Sequence, residues 1–266
     1  MTESSPIVLF SFDVEEFDIP LEFGTPIGPR EQMRIGIQGF ARALHLLDEV
    51  GVRATLYMTG AIALAAPELV RWAVRSGHEI ASHSLEHSRF ETSHLLESRT
   101  VLERVSGTRV VGFRMPRLAP VGDDDLVKAG YLYNSSLNPI WLPGRYNHLR
   151  SPRLPHRRGG LVQVPLSATP VLRWPLFWLA FKNQPAWLTR RTTARCLEHD
   201  RLASLYFHPW ELCECTGFGL PASVARCSGE RLYHPLRDYL LWLKSRARFE
   251  TTARYVQEHI GGRDGA

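Results

Sequence analysis

Asp13 and Glu15 stand at the end of the apolar run Ile7–Val14, with a single residue between them. Side chains alternate faces along a strand, so the two carboxylates share one side while Val14 points away. Such a pair can divide labour, one group binding a cation while the other moves protons. His83 and His87 lie four residues apart in Ser82-His83-Ser84-Leu85-Glu86-His87. On a helical turn they would share a face, and their ring nitrogens could chelate one ion. Arg114, at the end of Val110–Arg114, can hold a nearby carboxylate ionised and oriented. His208 follows Tyr206 and Phe207, with Trp210 beside it. Each piece alone has a plain alternative: solvated acids in a loop, or ordinary surface or core histidines. Their order along the chain is what makes the combination strong. His94 is expected on a helix surface rather than as a further ligand.

These residues must be positioned by something, and the chain alternates β-like and helical runs. The expected strands are Ile7–Val14, Ala54–Met58, Glu79–Ser82, Val110–Arg114, Tyr131–Ser135, Leu161–Pro165 and Ala203–Phe207. The expected helices are Gly36–Val50, Pro67–Ser76, Ser93–Val105, Asp123–Ala129, Pro185–His199, Pro235–Arg246 and Thr252–His259. Gly51, Gly77, Gly107 and Gly130 stop four of them, as C-terminal glycines do. This alternation predicts an α/β fold with a mostly parallel sheet, either a (β/α) barrel of about seven units or a doubly wound open sheet. Active sites in such folds gather at the C-terminal ends of the strands, which is where the residues above fall.

Composition narrows the class. The 266 residues are 44% hydrophobic and 22% charged, which excludes a disordered or collagen-like chain. We expect a single domain over residues 1–266. No run of 18 apolar residues occurs, and Ile7–Phe12 is too short for a signal core, so a cytoplasmic chain is expected. The four cysteines predict no disulfide scaffold, and Cys213, Cys215, Cys227 and His234 match no common zinc spacing. The net charge of +5 is unevenly spread: residues 126–197 hold eleven bases and no acid, the rest 21 bases and 27 acids. A block of this kind is a footprint for something anionic.

Taken in order, SFDVEE, HSLEH, FRMP and LYFHP resemble the motifs of the polysaccharide deacetylase family, the NodB-homology domain, and they cover most of the chain. The resemblance implies a distorted (β/α) barrel and a divalent metal, usually zinc, serving hydrolysis of N-acetyl groups on sugars. It makes Asp13 the general base, Arg114 its partner and His208 the general acid. By the same likeness His83 and His87 are metal ligands. Many relatives carry a second Asp where Val14 stands here, so Glu15 becomes the candidate third ligand. Arg117 replaces a common aromatic after FRMP, and Asp200 is the candidate support for His208. Pro116, Trp210 and Arg145 are candidate substrate contacts.

A basic, aromatic insertion spans about residues 139–190. Trp174, Phe177, Trp178, Phe181 and Trp187 there read either as a core helix or as a lip dipping into a membrane interface. With Arg145–Arg158 meeting a phosphate, the second reading fits a polyprenyl-phosphate-linked sugar and peripheral contact with an anionic membrane on its inner face. A glycan or lipid-linked sugar is therefore the expected partner, and nucleic acid is not. The rivals are a deformylase or amidase on a lipid-linked sugar and a catalytically inactive glycan-binding barrel.

Overall fold

A computed structural model of the protein describes residues 5–144 and 146–261. The strands are β1 (Ile7–Val14), β2 (Thr55–Met58), β3 (Glu79–Ser82), β4 (Gly112–Phe113), β5 (Tyr133–Asn134), β6 (Trp141–Leu142), β7 (Tyr146–Asn147), β8 (His156–Arg158), β9 (Leu161–Gln163), β10 (Leu202–Phe207) and β11 (Arg248–Glu250). The main sheet runs β10-β1-β2-β3-β4-β5-β9-β8. All of these pairings are parallel except the β8–β9 hairpin. Seven strands on this path run parallel, β11 adds an eighth beside β1, and the sheet curls into a half-barrel, in keeping with the expected distorted (β/α) barrel. Its seam has no continuous ladder: Ser167 donates its amide to the Ser204 carbonyl at 2.9 Å, and Ser204 donates its own to Ser167 Oγ at 2.8 Å.

β1 is buried along its whole length because helices cover one face and the barrel interior covers the other. Val8, Phe10, Phe12 and Val14 join the large core under the helices, while Ile7 and Leu9 join the smaller inner core. The inward face therefore reads Ile7, Leu9, Ser11, Asp13, apolar at the bottom and polar at the top. That gradient places the chemistry at the strands' C-terminal ends.

The long helix between β1 and β2 starts at Pro29, seven residues before the expected Gly36, and ends at Gly51 in left-handed geometry (φ 66°). Its two early glycines are contact points rather than breakers. A Cβ at Gly36 would stand 2.5 Å from the Glu15 carbonyl oxygen, and one at Gly39 would stand 2.5 Å from the Pro209 carbonyl. The expected helix Pro235–Arg246 is instead Glu230–Lys244, with Pro235 inside it. The Arg231 carbonyl, which Pro235 cannot bond, accepts from the Cys227 thiol at 3.3 Å. The last expected helix ends as Thr252–Tyr255 followed by a wider turn, Val256–Ile260. Short helices at Ile19–Glu22, Gly60–Ala65 and Trp178–Asn183, and strand β11, carry no clear periodicity in the sequence. No helix among the described residues is long and apolar enough to cross a membrane.

Two outcomes follow from this packing. Gly39→Ala forces the helix off the loop behind His208, and overpacking of this kind costs about 1–3 kcal/mol. Denaturant unfolding should show that loss, with turnover falling alongside it. His78 is buried, accepts the Ala54 amide on Nδ1 at 3.2 Å and leaves Nε2 without a partner. Burial lowers it from 6.5 to about 4. The unfolded chain then binds the proton more readily, so its contribution is full above pH 6.5 and is lost as pH falls towards 4. Denaturation at stepped pH should show a fall of up to about 3 kcal/mol across that window, flattened in His78→Gln.

Candidate metal centre and active site

Four strand ends deliver the site: β1 brings Asp13 and Glu15, β3 His83, β4 Arg114 and β10 His208. His87 arrives on the loop after β3. That loop is not the expected helical turn, because Ser84 takes a left-handed φ of 69° and swings the chain round. The two imidazoles still face one another, with ring centroids 5.5 Å apart.

Each imidazole is fixed through its outer nitrogen. His83 Nδ1 donates to the Arg114 carbonyl at 2.8 Å, and His87 Nδ1 donates to Asp18 Oδ1 at 2.7 Å. Both Nε2 atoms then face Glu15 Oε2, at 3.1 and 3.0 Å. Atoms of this kind gather only around a positive charge, a proton or a bound cation. Burial opposes charge here. Even so, His87 and His208 hold Glu15 well below the usual carboxylate range, and Glu15 and Asp18 push His87 up to about 10. The three ligand atoms lie within 4.8 Å of one another, all on buried residues. Two imidazoles and a carboxylate with outer nitrogens already bonded fit a divalent ion such as zinc.

Beside this centre Asp13 Oδ1 accepts from Arg114 at 2.5 Å. Arg114 is itself pinned by Ser11 Oγ, the Ser135 carbonyl and Ser135 Oγ at 3.0–3.1 Å, and its guanidinium lies 3.8 Å over the Tyr57 ring. Burial disfavours its charge, yet Asp13 keeps it above its ordinary value. Across the site His208 Nε2 lies 3.9 Å from Glu15 Oε1. Its Nδ1 pairs with Glu211 Oε1 at 3.1 Å, and Lys182 Nζ holds Glu211 Oε2 at 3.1 Å.

Glu211 therefore supports His208, not Asp200, which is ion-paired with Arg153. The signal was local: Glu211 stands three residues after His208 with Pro209 between, the pattern of a helix start whose third residue bonds back. Trp210 is 1% exposed, lines the cleft and donates Nε1 to Glu15 Oε1 at 3.0 Å, so it steadies a ligand from the cleft wall. Pro116 is buried in a short turn outside the cleft lining. Arg145 lies outside the described residues. Arg117, left-handed at φ 57°, reaches Asp18 Oδ2 at 2.9 Å, Glu22 Oε1 at 2.6 Å and the His87 carbonyl at 2.9 Å. His94 is buried, not on the surface.

The basic segment is less free than its composition implies. Arg153, Arg158 and Lys182 pair with Asp200, Asp123 and Glu211, all outside the acid-free stretch. Its aromatics divide: Phe177 and Trp178 are buried, whereas Trp174 and Trp187 are 44% and 65% exposed. Cys213 and Cys215 are buried, and burial raises their thiols to about 11 and about 12, consistent with packing rather than ligation. A second Glu/Glu/His group, Glu250, Glu258 and His259, lies near the opposite end of β1, with Arg248 on Glu250 and Arg254 on Glu258.

A family model described as polysaccharide deacetylase matches residues 35–130, which include His83, His87 and Arg114. That stretch of the chain is similar to the polysaccharide deacetylases. Solved structures agree on the fold. A Mycobacterium smegmatis protein assigned as a polysaccharide deacetylase is 20% identical, with TM-score 0.62, covering 98% of this chain and 92% of its own. PuuE allantoinase is 17% identical, TM-score 0.66, covering 97% and 93%. A Pseudomonas aeruginosa PAO1 protein of the deacetylase assignment is 17% identical, TM-score 0.63, covering 95% and 91%. Asp13, Glu15 and His208 lie outside the matched residues, and in this deacetylase-like chain it is the fold that gathers them.

The outer bonds to the imidazoles set an expectation. Groups that orient a ligating histidine are worth about 10–100-fold in metal affinity. Asp18→Ala should lose that much zinc affinity by competition with a chelating dye, and Arg117→Ala should lose less in the same direction.

Proposed function

We propose that the chain is a metal-dependent hydrolase that removes N-acetyl groups from an amino-sugar substrate. The observation that carries this is the meeting of Glu15, His83 and His87 at one point, flanked by the Asp13–Arg114 pair and faced by His208. Zinc suits two imidazoles and a carboxylate with one position left open. When bound, such an ion supplies Lewis acidity towards the amide carbonyl and acidifies a water molecule.

The chain's own residues do the rest. Arg114 occupies Asp13 Oδ1, which leaves Oδ2 to take the proton of the attacking water. Glu211 fixes His208 through Nδ1, so Nε2 faces the cleft and gives its proton to the departing amine. The amide C–N bond breaks, a C–O bond to water forms, and the products are acetate and a free amine. Lys182 neutralises Glu211, which is fully buried and would otherwise carry an uncompensated charge. A barrel that only binds glycans has no use for a base, an acid and a metal centre together.

Removing a positioned acid or base costs typically 10²–10⁴-fold. Asp13→Asn should lose about that much acetate release while its zinc content stays at the wild-type level. Loss of zinc as well would move Asp13 into the ligand set. Formate in place of acetate, from matched formyl and acetyl substrates, would turn the assignment to a deformylase.

A further inference from the structure

The walls above the catalytic residues have a chemistry of their own. The cleft is about 490 Å³, and Ile19, Phe23, Leu118, Leu142, Leu179 and Pro221 form much of its lining. Beyond the catalytic residues, its polar lining is Glu22, Arg117, Ser223, Tyr206 and the indoles of Trp178 and Trp210, the last already spent on Glu15. Two of these are committed to each other, Arg117 Nε to Glu22 Oε1 at 2.6 Å. A sugar ring pressed against these walls would lose water from its hydroxyls and find few donors or acceptors in return. A hydrocarbon chain would meet no such loss.

An exposed apolar tip is tied to the loop that carries one wall. Val171 and Leu172 are 91% and 83% exposed. The tip is built, not loose: Val171 and Arg173 are both left-handed, and the Trp174 amide donates to Thr169 Oγ1 at 2.9 Å. Arg173 ties it to the Pro139 and Ser151 carbonyls at 3.5 and 3.1 Å, the loop that carries Leu142 on β6.

We propose that the substrate is an amphiphile, an acylated amino sugar whose flank beside the amide is hydrocarbon rather than more sugar. This rests on the reading of the site as an amide hydrolase and names its substrate class. The test is a binding series on zinc-loaded Asp13→Asn: methyl, butyl and octyl N-acetylglucosaminides against chitotetraose, by calorimetry. Affinity should tighten by about fourfold per methylene, the worth of one buried CH₂, until the wall is filled. Chitotetraose should bind no tighter than the methyl glycoside. Leu142→Asn combined with Leu179→Asn should flatten the chain-length dependence while zinc binding holds. Affinity that grows with sugar length and not with alkyl length overturns the proposal, as does no binding by any of the four. Acetate release by the wild type is scored separately, so a chain that binds the octyl compound in this graded way but hydrolyses none of them refutes the hydrolase reading and leaves the amphiphile site standing. The source of the amphiphile is separated by sedimentation with phosphatidylglycerol vesicles. Wild type pelleting where Val171→Ser/Leu172→Ser does not places it in a bilayer, and neither pelleting places it in solution.

Discussion

Two imidazole nitrogens held 3.1 and 3.0 Å from one buried carboxylate oxygen are the constraint on which this structure turns. Glu15 Oε2 and the Nε2 atoms of His83 and His87 are held in mutual opposition by bonds on their far sides. Nothing in the site relaxes that opposition by rotation, because Asp18, the Arg114 carbonyl and Trp210 fix all three groups. The arrangement is stable only around positive charge, and the fold is organised to keep it so. Arg114 serves both halves of the centre: its carbonyl orients a ligand, and its guanidinium orients the base.

The supporting residues form two chains of alternating charge. One runs from Glu22 through Arg117 and Asp18 to His87, the other from Lys182 through Glu211 to His208. In each, a cation offsets a carboxylate that in turn steadies an imidazole. Buried carboxylates left alone would take up protons and lose their hold. The Lys182 end comes from the aromatic insertion, so that segment is part of the site's support rather than an appendage.

Asp13 and Glu15 were legible in the sequence because the strand period of two needs no tertiary knowledge. The histidine pair was legible as a pair, but its geometry was not, since Ser84 carries no signal for a left-handed turn that non-glycine residues seldom adopt. Seven strands were readable from apolar runs, whereas β4 and β5 are only two residues long, although the Arg114 and Ser135 amides still donate to the Ser82 and Phe113 carbonyls. Lys182 and Asp18 act on partners 29 and 69 residues away, a distance across which one sequence gives no pairing. The helix starting at Pro29 hid its first turns because Glu31 to Arg34 break the apolar rhythm.

Gly36 and Gly39 are three residues apart, hence on one side of their helix, and each lets a different backbone segment lie directly on it. One segment carries Glu15; the other follows His208. A single rigid rod thus sets the distance between the ligand arm and the acid arm. A side chain added on that side would move both arms together, so the two halves of the chemistry share one mechanical support.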